Sequence, residues 1–378
     1  MRILCVIDNL GSGGAQRQLV NLAICFHRQG HDVSFLTYHP SDFYLPALQR
    51  EGISCICLNE PRALPRIWKV RRAIRSNDCD VVLSFLDTPN LIAEMAGAPW
   101  RRWRLIVGER SANPAMLTAC APRFLRWLHL LADHVVANSR TNEGMILKLN
   151  PFLKGRTSVV YNLVDLDTYC PVTATARRLD GTLRLVVAAS HQYLKNLNGL
   201  LDALALLSTA ERRQIRVDWY GDVQPNQDPY RKAIAKIGKF GLGNTVFLYP
   251  ATDQIHGKMQ EADAVGLFSF HEGLPNTVCE AMACGKPVVC ADVSDNRHLV
   301  TEGENGFLCR PDLPASIADA LRRLTANSPE KLAAMGRLGR ARAERLFSQE
   351  KTAGLYLQLM EQLVSSKVGR DNDSGNGS

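Results

Sequence analysis

Residues 270–289 of this chain read FHEGLPNTVCEAMACGKPVV. The stretch places one carboxylate, Glu272, in a loop and a second, Glu280, eight residues later inside a predicted helix. The backbone N–H groups near Asn276 and Thr277 belong to the positive end of that helix, which suits a diphosphate. The pattern indicates an anion-binding loop and helix of an α/β fold.

Glu280 is predicted to lie about one turn inside this helix. From there its carboxylate could accept two hydrogen bonds from a ribose diol, with Glu272 in the loop before it. Two glutamates near a helix start can also be solvated carboxylates without a ligand. The small residues Ala281 and Ala283, and the Gly-Lys-Pro turn into the next apolar run, favour the ligand-binding interpretation.

The rest of the chain alternates short apolar runs with longer helical patterns, which is typical of a parallel α/β sheet. The alternation restarts at Leu183, after a polar stretch over residues 165–181 that contains Pro171 and has no clear periodicity. The sequence therefore predicts two Rossmann-like α/β domains joined by this stretch.

The domain boundaries follow from the same alternation. The first domain is predicted over residues 1–170 and the second over residues 182–347. A closing helical pattern over residues 348–364 is expected to pack back on the first domain. Residues 365–378 are rich in Gly, Ser, Asn and Asp, too polar to pack, and are predicted to form a disordered tail.

Composition and cysteine spacing exclude several classes of protein. No apolar run reaches the roughly 18 residues of a membrane-spanning helix, so a cytosolic protein without a signal peptide is expected. The 11 cysteines are scattered and form no CxxC pair, which predicts reduced thiols. No zinc-binding spacing is present, so no metal site is expected.

Positive charge is concentrated in the first half of the chain. Residues 1–180 carry 22 Lys and Arg against 15 Asp and Glu, and the remaining residues are nearly balanced. This asymmetry predicts an anionic partner such as a membrane surface, a lipid diphosphate or nucleic acid, unless the charge serves solubility alone.

Two basic clusters in this half also contain tryptophan, a combination that suits an anionic lipid interface. Their members are Arg62, Arg66, Lys69, Arg71, Arg72, Arg75, Arg101, Arg102 and Arg104 with Trp68, Trp100 and Trp103. Ile67, Val70 and Ile74 form a helical apolar stripe that is expected to face the core, leaving the basic residues toward solvent or headgroups. An ordinary surface helix with solvated arginines is the alternative.

A glycine-rich turn follows the first predicted strand. Residues 8–16 read DNLGSGGAQ, and the missing side chains let the backbone around Gly13 and Gly14 approach a phosphate or sugar. The dinucleotide fingerprint G-x-G-x-x-G fails at Gln16, and no acidic residue ends the next strand. A nicotinamide-dependent enzyme is therefore disfavoured.

Taken together, these motifs resemble glycosyltransferase family 4. The family's E-x7-E signature matches Glu272 through Glu280, and its continuation E-A-M-A-x-G-x-P-V-V is reproduced over residues 280–289. The matches elsewhere span nearly the whole chain, at residues 11–15, 159–165, 220–222 and 305–307. Residues 84–90 and 108–111 resemble the branch that builds bacterial lipid-linked oligosaccharides and surface polysaccharides.

The resemblance implies a GT-B fold, with two Rossmann-like domains that face a central cleft. The first domain would bind the acceptor and the second the nucleotide sugar. By the family's pattern Glu280 binds the nucleotide ribose, Glu272 contacts the donor sugar at the reaction centre, and Lys195 contacts the diphosphate. A cation is needed there to offset charge on the departing diphosphate.

The resemblance also implies further site residues. Gly13, Gly14, Asn276, Thr277 and Gly221 are assigned to donor binding. On the acceptor side stand Asp87, Arg110 and Ser111, and Arg110 either stabilises leaving-group charge or holds an acceptor phosphate. Many relatives place an arginine where this chain has Ser190, so another cation substitutes there or Lys195 and backbone donors suffice.

The activity implied is that of a retaining hexosyltransferase. It would move a hexose or N-acetylhexosamine from a nucleoside-diphosphate sugar, with UDP favoured, to a glycan or polyprenyl-diphosphate-linked acceptor. No cofactor, metal or nucleic acid is expected, and the protein would be cytoplasmic or peripheral on the inner face of the cytoplasmic membrane. The alternatives are an epimerase or phosphorylase of the same fold, or an inactive sugar-nucleotide-binding protein.

Overall fold

The computed structural model describes residues 1–41, 43–111, 114–172, 181–223 and 225–373. The chain divides into two compact units. Unit 1 comprises Met1–Leu163 and Gln349–Ser378, and unit 2 comprises Val164–Ser348. The chain therefore leaves unit 1, builds unit 2 and returns. At the edge of unit 2 the two crossings are hydrogen-bonded, since the Val164 N–H donates to the Phe347 carbonyl at 2.9 Å.

Unit 1 is built on a parallel sheet of seven strands in the order β3-β2-β1-β4-β5-β6-β7. Its central strands are apolar on both sides, as expected of a parallel sheet covered on both faces. The strands are β1 (Arg2–Val6), β2 (Asp32–Thr37), β3 (Ser54–Cys57), β4 (Val81–Phe85), β5 (Arg104–Glu109), β6 (His134–Ala137) and β7 (Thr157–Val159).

Helices cover both faces of this sheet. Their bounds are α1 (Gly14–Arg28), α2 (Leu45–Arg50), α3 (Ala63–Ser76), α4 (Asp87–Gly97), α5 (Cys120–Leu128), α6 (Arg140–Leu149) and the last helix of the chain, α15 (Gln349–Asp373). Alternate residues of β1 show the two layers, because Ile3 and Cys5 join the core under α1 and α15, and Leu4 and Val6 join the core under α3, α4 and α6.

Helix α15 belongs to unit 1 and packs against α1. The buried ring of Tyr356 on α15 lies edge-on to Phe26 of α1, with centroids 6.3 Å apart. The helix continues to Asp373, past residue 364, where the closing helical pattern was predicted to end. The extra turns are polar, and helix propagation from a packed segment needs no apolar face of its own. Residues 374–378 lie outside the described part of the chain.

Unit 2 repeats the architecture with a parallel sheet of six strands in the order β10-β9-β8-β11-β12-β13. The strands are β8 (Leu183–Ala188), β9 (Ile215–Tyr220), β10 (Val246–Tyr249), β11 (Ala264–Leu267), β12 (Val288–Ala291) and β13 (Gly306–Cys309). The helices are α7 (Leu197–Ala205), α8 (Thr209–Arg212), α9 (Asp228–Lys239), α10 (Ile255–Glu261), α11 (Asn276–Ala283), α12 (Asn296–Leu299), α13 (Pro314–Thr325) and α14 (Pro329–Phe347).

The two predicted Rossmann-like sheets are thus confirmed. Each sheet has a point where the strand order reverses, between β1 and β4 in unit 1 and between β8 and β11 in unit 2. The loops after such a pair run to opposite sides of the sheet and leave a crevice at the carboxyl ends of the strands, where open α/β sheets bind ligands. The sequence-predicted site residues can be located relative to these two points.

Candidate functional site

The reversal point of unit 2 joins two loops that carry predicted donor residues. The loop after β8 contains the short 3₁₀ turn Tyr193–Lys195, and the loop after β11 contains Glu272. The Phe270 N–H donates to the Leu194 carbonyl at 3.0 Å, so the loops are hydrogen-bonded to each other. The ring of exposed Tyr193, which the sequence analysis did not assign, stacks on Phe270 with centroids 5.1 Å apart.

Lys195 and Glu272 form an ion pair at this point. Lys195 Nζ lies 2.6 Å from Glu272 Oε1, and both side chains are partly buried. The residue after the lysine, Asn196, has a left-handed backbone with φ +60, a conformation that asparagine tolerates. Its Oδ1 caps α7 and its Nδ2 donates to the Pro311 carbonyl at 2.8 Å, which fixes the loop that presents Lys195.

Glu280 lies on α11, which begins at Asn276 directly after the Glu272 loop. Its side chain is mostly buried. Thr277, in the first turn, donates from Oγ1 to the Ala188 carbonyl at the end of β8, at 3.2 Å. The helix start is therefore tied to the strand that leads to Lys195, so one edge of unit 2 holds Lys195, Glu272, Asn276, Thr277 and Glu280.

Gly221 follows β9 beside this edge, and the structure gives it a packing role. A Cβ at this position would lie 1.9 Å from the Ala189 carbonyl oxygen, so no larger residue fits. The same carbonyl accepts from Trp219 Nε1 at 2.6 Å. This close approach accounts for the glycine, and its contact with a donor stays a prediction.

His191 is buried and follows Ser190, the position at which the family pattern has an arginine. Its ring stacks on Trp219 and meets Tyr230 edge-on at 4.9 Å. Burial lowers the pKa of His191, so the imidazole is neutral at pH 7. It therefore does not supply the positive charge that the missing arginine leaves open.

The other two predicted glycines, Gly13 and Gly14, belong to unit 1 and lie at the reversal point of its own sheet. Gly13 caps α1 and Gly14 is the first residue of that helix. A Cβ at Gly13 would lie 2.2 Å from Gln16 Oε1, and Gln16 Nε2 donates to Asp8 Oδ1 at 3.0 Å. A larger residue at position 13 would displace the Gln16 side chain from this contact.

Arg110 follows β5 and is engaged inside unit 1. Its guanidinium carbon lies 3.6 Å from the centroid of the Phe85 ring. Nη1 donates to Asn162 Oδ1 at 3.1 Å, and Nη2 donates to the Tyr356 hydroxyl at 2.5 Å. These contacts connect the end of β5 with α15, and a catalytic role for Arg110 stays a prediction. Ser111, the next residue, is exposed.

Asp87, the other acceptor-side prediction, is the first residue of α4 and is separated from the end of β4 only by Leu86. Its Oδ1 accepts from Arg126 Nη2 at 2.9 Å. The same nitrogen donates to Glu109 Oε2 at 2.7 Å, deep in the core. Glu109 also accepts from His129 Nε2 at 3.0 Å, and His129 Nδ1 lies 2.6 Å from Glu94 Oε1.

We call Glu94, Glu109, Arg126 and His129 the buried charge cluster. Burial alone would lower the pKa of His129, but its hydrogen bonds to Glu109 and Glu94 raise it to about 9, so both ring nitrogens donate at pH 7. Burial would raise the pKa of Glu109, but His129 and Arg126 hold it below its usual value. The sequence analysis assigned no role to any of these four residues, because they share no spacing motif. It noted only that the segment around Glu109, residues 108–111, resembles the family.

Two domain families match this chain. The model described as "Glycosyl transferases group 1" matches residues 177–342, and the model described as "Glycosyltransferase Family 4" matches residues 12–168. The chain carries a family 4 domain followed by a group 1 domain of glycosyltransferases. The predicted family is therefore confirmed.

Two curated relatives illustrate the range of this glycosyltransferase's similarity. The N-acetylgalactosamine-N,N'-diacetylbacillosaminyl-diphospho-undecaprenol 4-alpha-N-acetylgalactosaminyltransferase of Campylobacter jejuni is 24% identical over 331 residues, which cover 84% of this chain and 88% of that one. The D-inositol 3-phosphate glycosyltransferase of Gordonia bronchialis is 28% identical over 254 residues, 64% of this chain. The chain spans only 55% of the length of that second relative.

Solved structures share the fold of this glycosyltransferase. Anabaena HepE in complex with UDP superposes with a TM-score of 0.84 at 21% identity, covering 96% of this chain and 100% of that one. A Rickettsia africae glycosyltransferase has a TM-score of 0.81 at 16% identity, covering 96% and 98%. These likenesses show the GT-B fold.

The predicted lipid-facing surface of the glycosyltransferase is only partly as expected. Val70 and Ile74 of α3 are fully buried, as predicted for the apolar stripe. Most of the basic residues, however, have partners inside unit 1, although five of the nine, Arg62, Lys69, Arg72, Arg75 and Arg102, are still exposed. Lys69 pairs with Glu60, Arg66 contacts His39, Arg71 and Arg75 donate to carbonyls near the end of α4, and Arg101 and Arg104 pair with Asp133.

The tryptophans of the basic clusters differ in their exposure to solvent. Trp103 is 5% exposed and belongs to the core, whereas Trp68 and Trp100 are 61% and 72% exposed. Arg72 lies over the Trp68 ring, 5.6 Å from its centroid. The arginines that cap α4 satisfy carbonyls that a helix end leaves without partners, which a count of charges in the sequence does not reveal.

In the described ranges, no helix is long and apolar enough to cross a membrane. Within the same ranges, no three His, Cys, Asp or Glu side chains gather into a group that could hold a metal ion.

Proposed function

We propose that this glycosyltransferase transfers a hexose or N-acetylhexosamine from a UDP-sugar to a glycan or lipid-linked acceptor. The transfer retains the anomeric configuration and uses no metal. The observation that carries the proposal is the ion pair of Lys195 and Glu272, 2.6 Å apart, beside the start of α11. It places a cation, a carboxylate and a helix N-terminus at the reversal point of one sheet.

The donor diphosphate is assigned to Lys195 and the first turn of α11. An ammonium group has three hydrogen-bond donors, so Lys195 can keep one on Glu272 and direct others at phosphate oxygens. The backbone N–H groups at Asn276 and Thr277 add the positive end of the helix dipole. Glu280, one turn further along α11, accepts from the ribose hydroxyls.

UDP is favoured as the nucleotide because the structurally similar Anabaena HepE has been solved with UDP and with UDP-glucose. A lipid-linked acceptor is favoured because the Campylobacter relative acts on a diphospho-undecaprenol-linked sugar. Transfer of the sugar to an acceptor distinguishes a transferase from an epimerase, a phosphorylase or an inactive binding protein of the same fold.

Retention is assigned to attack of the acceptor on the same face of the donor sugar, with the departing phosphate taking the acceptor proton. Glycosidases that retain configuration use a carboxylate nucleophile. Here the Glu272 carboxylate is held by Lys195, which favours a role in binding the sugar and orienting the lysine.

The test is a panel of UDP- and GDP-sugars assayed for release of the nucleoside diphosphate, without and with p-nitrophenyl glycosides as soluble acceptors. We expect slow hydrolysis of one UDP-sugar, faster release with one acceptor, and unchanged rates in EDTA. NMR of the product should show the anomeric configuration of the donor. Loss of activity in EDTA that Mg²⁺ or Mn²⁺ restores would refute the metal-free mechanism, and an inverted product would refute retention.

We also propose that the protein binds anionic membranes reversibly through Leu64, Trp68, Arg72 and Trp100 of unit 1, all of them exposed or partly exposed. Each basic residue near an anionic surface contributes on the order of 1 kcal/mol, so binding should weaken with salt. The protein should float with phosphatidylglycerol liposomes at low salt and be released at high salt.

The variant Leu64→Ser/Trp68→Ser/Trp100→Ser should lose most of this binding. The matched control is Phe124→Ser/Trp127→Ser, which removes two exposed aromatic residues of α5 instead. Binding that survives the first variant and fails in the control would place the membrane contact on α5. No flotation by the unaltered protein would mean that it has no affinity for these membranes.

A further inference from the structure

We propose that Arg126 is a positioning residue for sugar transfer. It holds the carboxylate of Asp87 where that carboxylate accepts a hydrogen bond from a neutral hydroxyl of the acceptor sugar. This inference rests on the proposed function, and it assigns the acceptor contact to a carboxylate and a hydroxyl. A phosphate would be repelled by Asp87, because like charges at hydrogen-bond distance are unfavourable.

Asp87 lies where a ligand of unit 1 is expected. It follows β4, and β4 pairs with β1 at the reversal point of the sheet, with Val6 opposite Ser84. The glycine turn at Gly13 follows β1 on the other side of this point. The carboxyl ends of β1 and β4 therefore meet beside Asp87, which is the usual ligand position in an open parallel sheet.

The backbone before Asp87 is held in a conformation that side chains rarely adopt. Leu86 has φ +79 and ψ 153, a region occupied almost only by glycine. Such strain persists only where the surrounding structure enforces it, and it is concentrated at functional sites. Here it turns the chain from the end of β4 into α4 and presents Asp87 as the first residue of the helix.

Arg126 joins this exposed carboxylate to the interior. The Arg126 side chain is 1% exposed, whereas that of Asp87 is 53% exposed. One nitrogen, Nη2, donates to both Asp87 Oδ1 and Glu109 Oε2. Among the described residues none donates to Asp87 Oδ2, so that oxygen can accept from a hydroxyl.

The buried charge cluster prevents Arg126 from moving. Glu109 is held from its other oxygen by His129, and His129 is held in turn by Glu94. Each of these side chains is 1–2% exposed, so water does not compete for the contacts. An exposed aspartate alone would sample several rotamers, whereas one bound to a fixed guanidinium is oriented before the acceptor arrives.

The buried charge cluster does not need Asp87 to pair its own charges. Two buried cations, Arg126 and protonated His129, already face Glu109, whose pKa they lower, and Glu94, whose pKa is raised by burial. Asp87 adds a third carboxylate on the exposed side. A purely structural cluster gains little from it, which is the reason for assigning Asp87 to a ligand.

The experiment compares Asp87→Asn, Asp87→Glu and Arg126→Lys in two assays, hydrolysis of the UDP-sugar and its transfer to the p-nitrophenyl glycoside that the unaltered protein uses best. We expect the KM for the glycoside to rise about 10- to 100-fold in Asp87→Asn, the loss of one charge-assisted hydrogen bond. Hydrolysis should stay within twofold, because the proposed contacts with the donor diphosphate and ribose, Lys195, α11 and Glu280, lie in unit 2. Asp87→Glu should resemble Asp87→Asn, since the fixed arginine then holds the longer carboxylate out of place.

The matched control is Asp78→Asn, an exposed aspartate that precedes the same strand at its opposite end. It should leave both assays unchanged. Near-normal KM in Asp87→Asn would overturn the acceptor contact, and near-normal KM in Asp87→Glu would overturn the positioning. Absence of both hydrolysis and transfer in the unaltered protein would overturn the proposed function and this inference with it.

Arg126→Lys tests the link between the two residues, because an ammonium keeps the charge but cannot hold both carboxylates in the same geometry. In a double-mutant cycle with Asp87→Asn, its effect on the KM should disappear, since a residue that acts through Asp87 has nothing left to position. Additive effects would overturn the inference. Should Arg126→Lys fail to fold by circular dichroism, Asp87→Glu decides the question.

Discussion

Replacing Lys195 by alanine should lower kcat for sugar transfer about 100- to 1,000-fold, the usual effect of removing one preorganised donor to developing negative charge. The charge appears on the diphosphate as the glycosidic bond breaks, so the interaction is stronger in the transition state than in the bound donor. Steady-state kinetics with the active UDP-sugar measures the effect.

The two glutamates should behave differently in the same assay. Glu272→Gln keeps the size of the side chain but removes the charge that orients Lys195 at 2.6 Å, so it should mainly lower kcat. Glu280→Ala should mainly raise the KM for the donor, because a ribose contact exists in ground and transition states alike. Full activity in both variants would show that the E-x7-E match does not mark the site.

Unit 2 offers a matched control for the ion pair. Lys236 on α9 lies 2.6 Å from Asp202 on α7, the same separation at similar exposure. Lys236→Ala should leave kcat within about twofold, because partly exposed ion pairs contribute little to stability. An equal loss in Lys195→Ala and Lys236→Ala would indicate general destabilisation of unit 2 and would contradict a role for Lys195 in the reaction.

The sequence was sufficient for the two sheets and for choosing residues that meet at the reversal point of unit 2. Parallel strands buried on both faces leave apolar runs that can be recognised without a structure, and the restart at Leu183 located β8 in this way. The Lys195 and Glu272 assignment came from the family's motifs, and the structure brings the two side chains into contact. Local spacing alone would not have paired residues in separate loops.

The buried charge cluster was beyond sequence reasoning for a physical reason. Glu94, Glu109 and the pair Arg126 and His129 come from three separate segments, and charged residues scattered in this way look like a solvated surface. Only the fold shows that they are buried and paired. The same holds for Arg110, which the family pattern assigned to the reaction and which the structure joins to Tyr356 of α15.

The cluster makes the stability of unit 1 depend on pH, and the sign follows from His129. Its pKa is about 9 in the folded protein and near 6.5 when unfolded, so the folded state binds the proton more tightly. The stabilisation is complete below about pH 6.5 and is lost as pH rises through about 9. The difference between the two pKa values corresponds to about 3 kcal/mol.

The unaltered protein should therefore lose about 3 kcal/mol of its resistance to unfolding between about pH 6.5 and 9.5, beyond any change in His129→Gln. The variant removes the proton and leaves Glu94 and Glu109 without a cation between them, so it should also be less stable at pH 6.5. Urea midpoints at fixed salt, followed by circular dichroism, give the comparison.

The matched control is His134→Gln on β6, because burial lowers the pKa of His134 to about 4. The contribution of His134 to stability is therefore lost only as the pH falls below about 6.5. If stability falls equally with pH above pH 7 in the unaltered protein and in His129→Gln, then His129 is neutral in the folded protein. In that case the imidazole could donate to only one of Glu94 and Glu109, and the rigid support that we assign to Asp87 would be weaker.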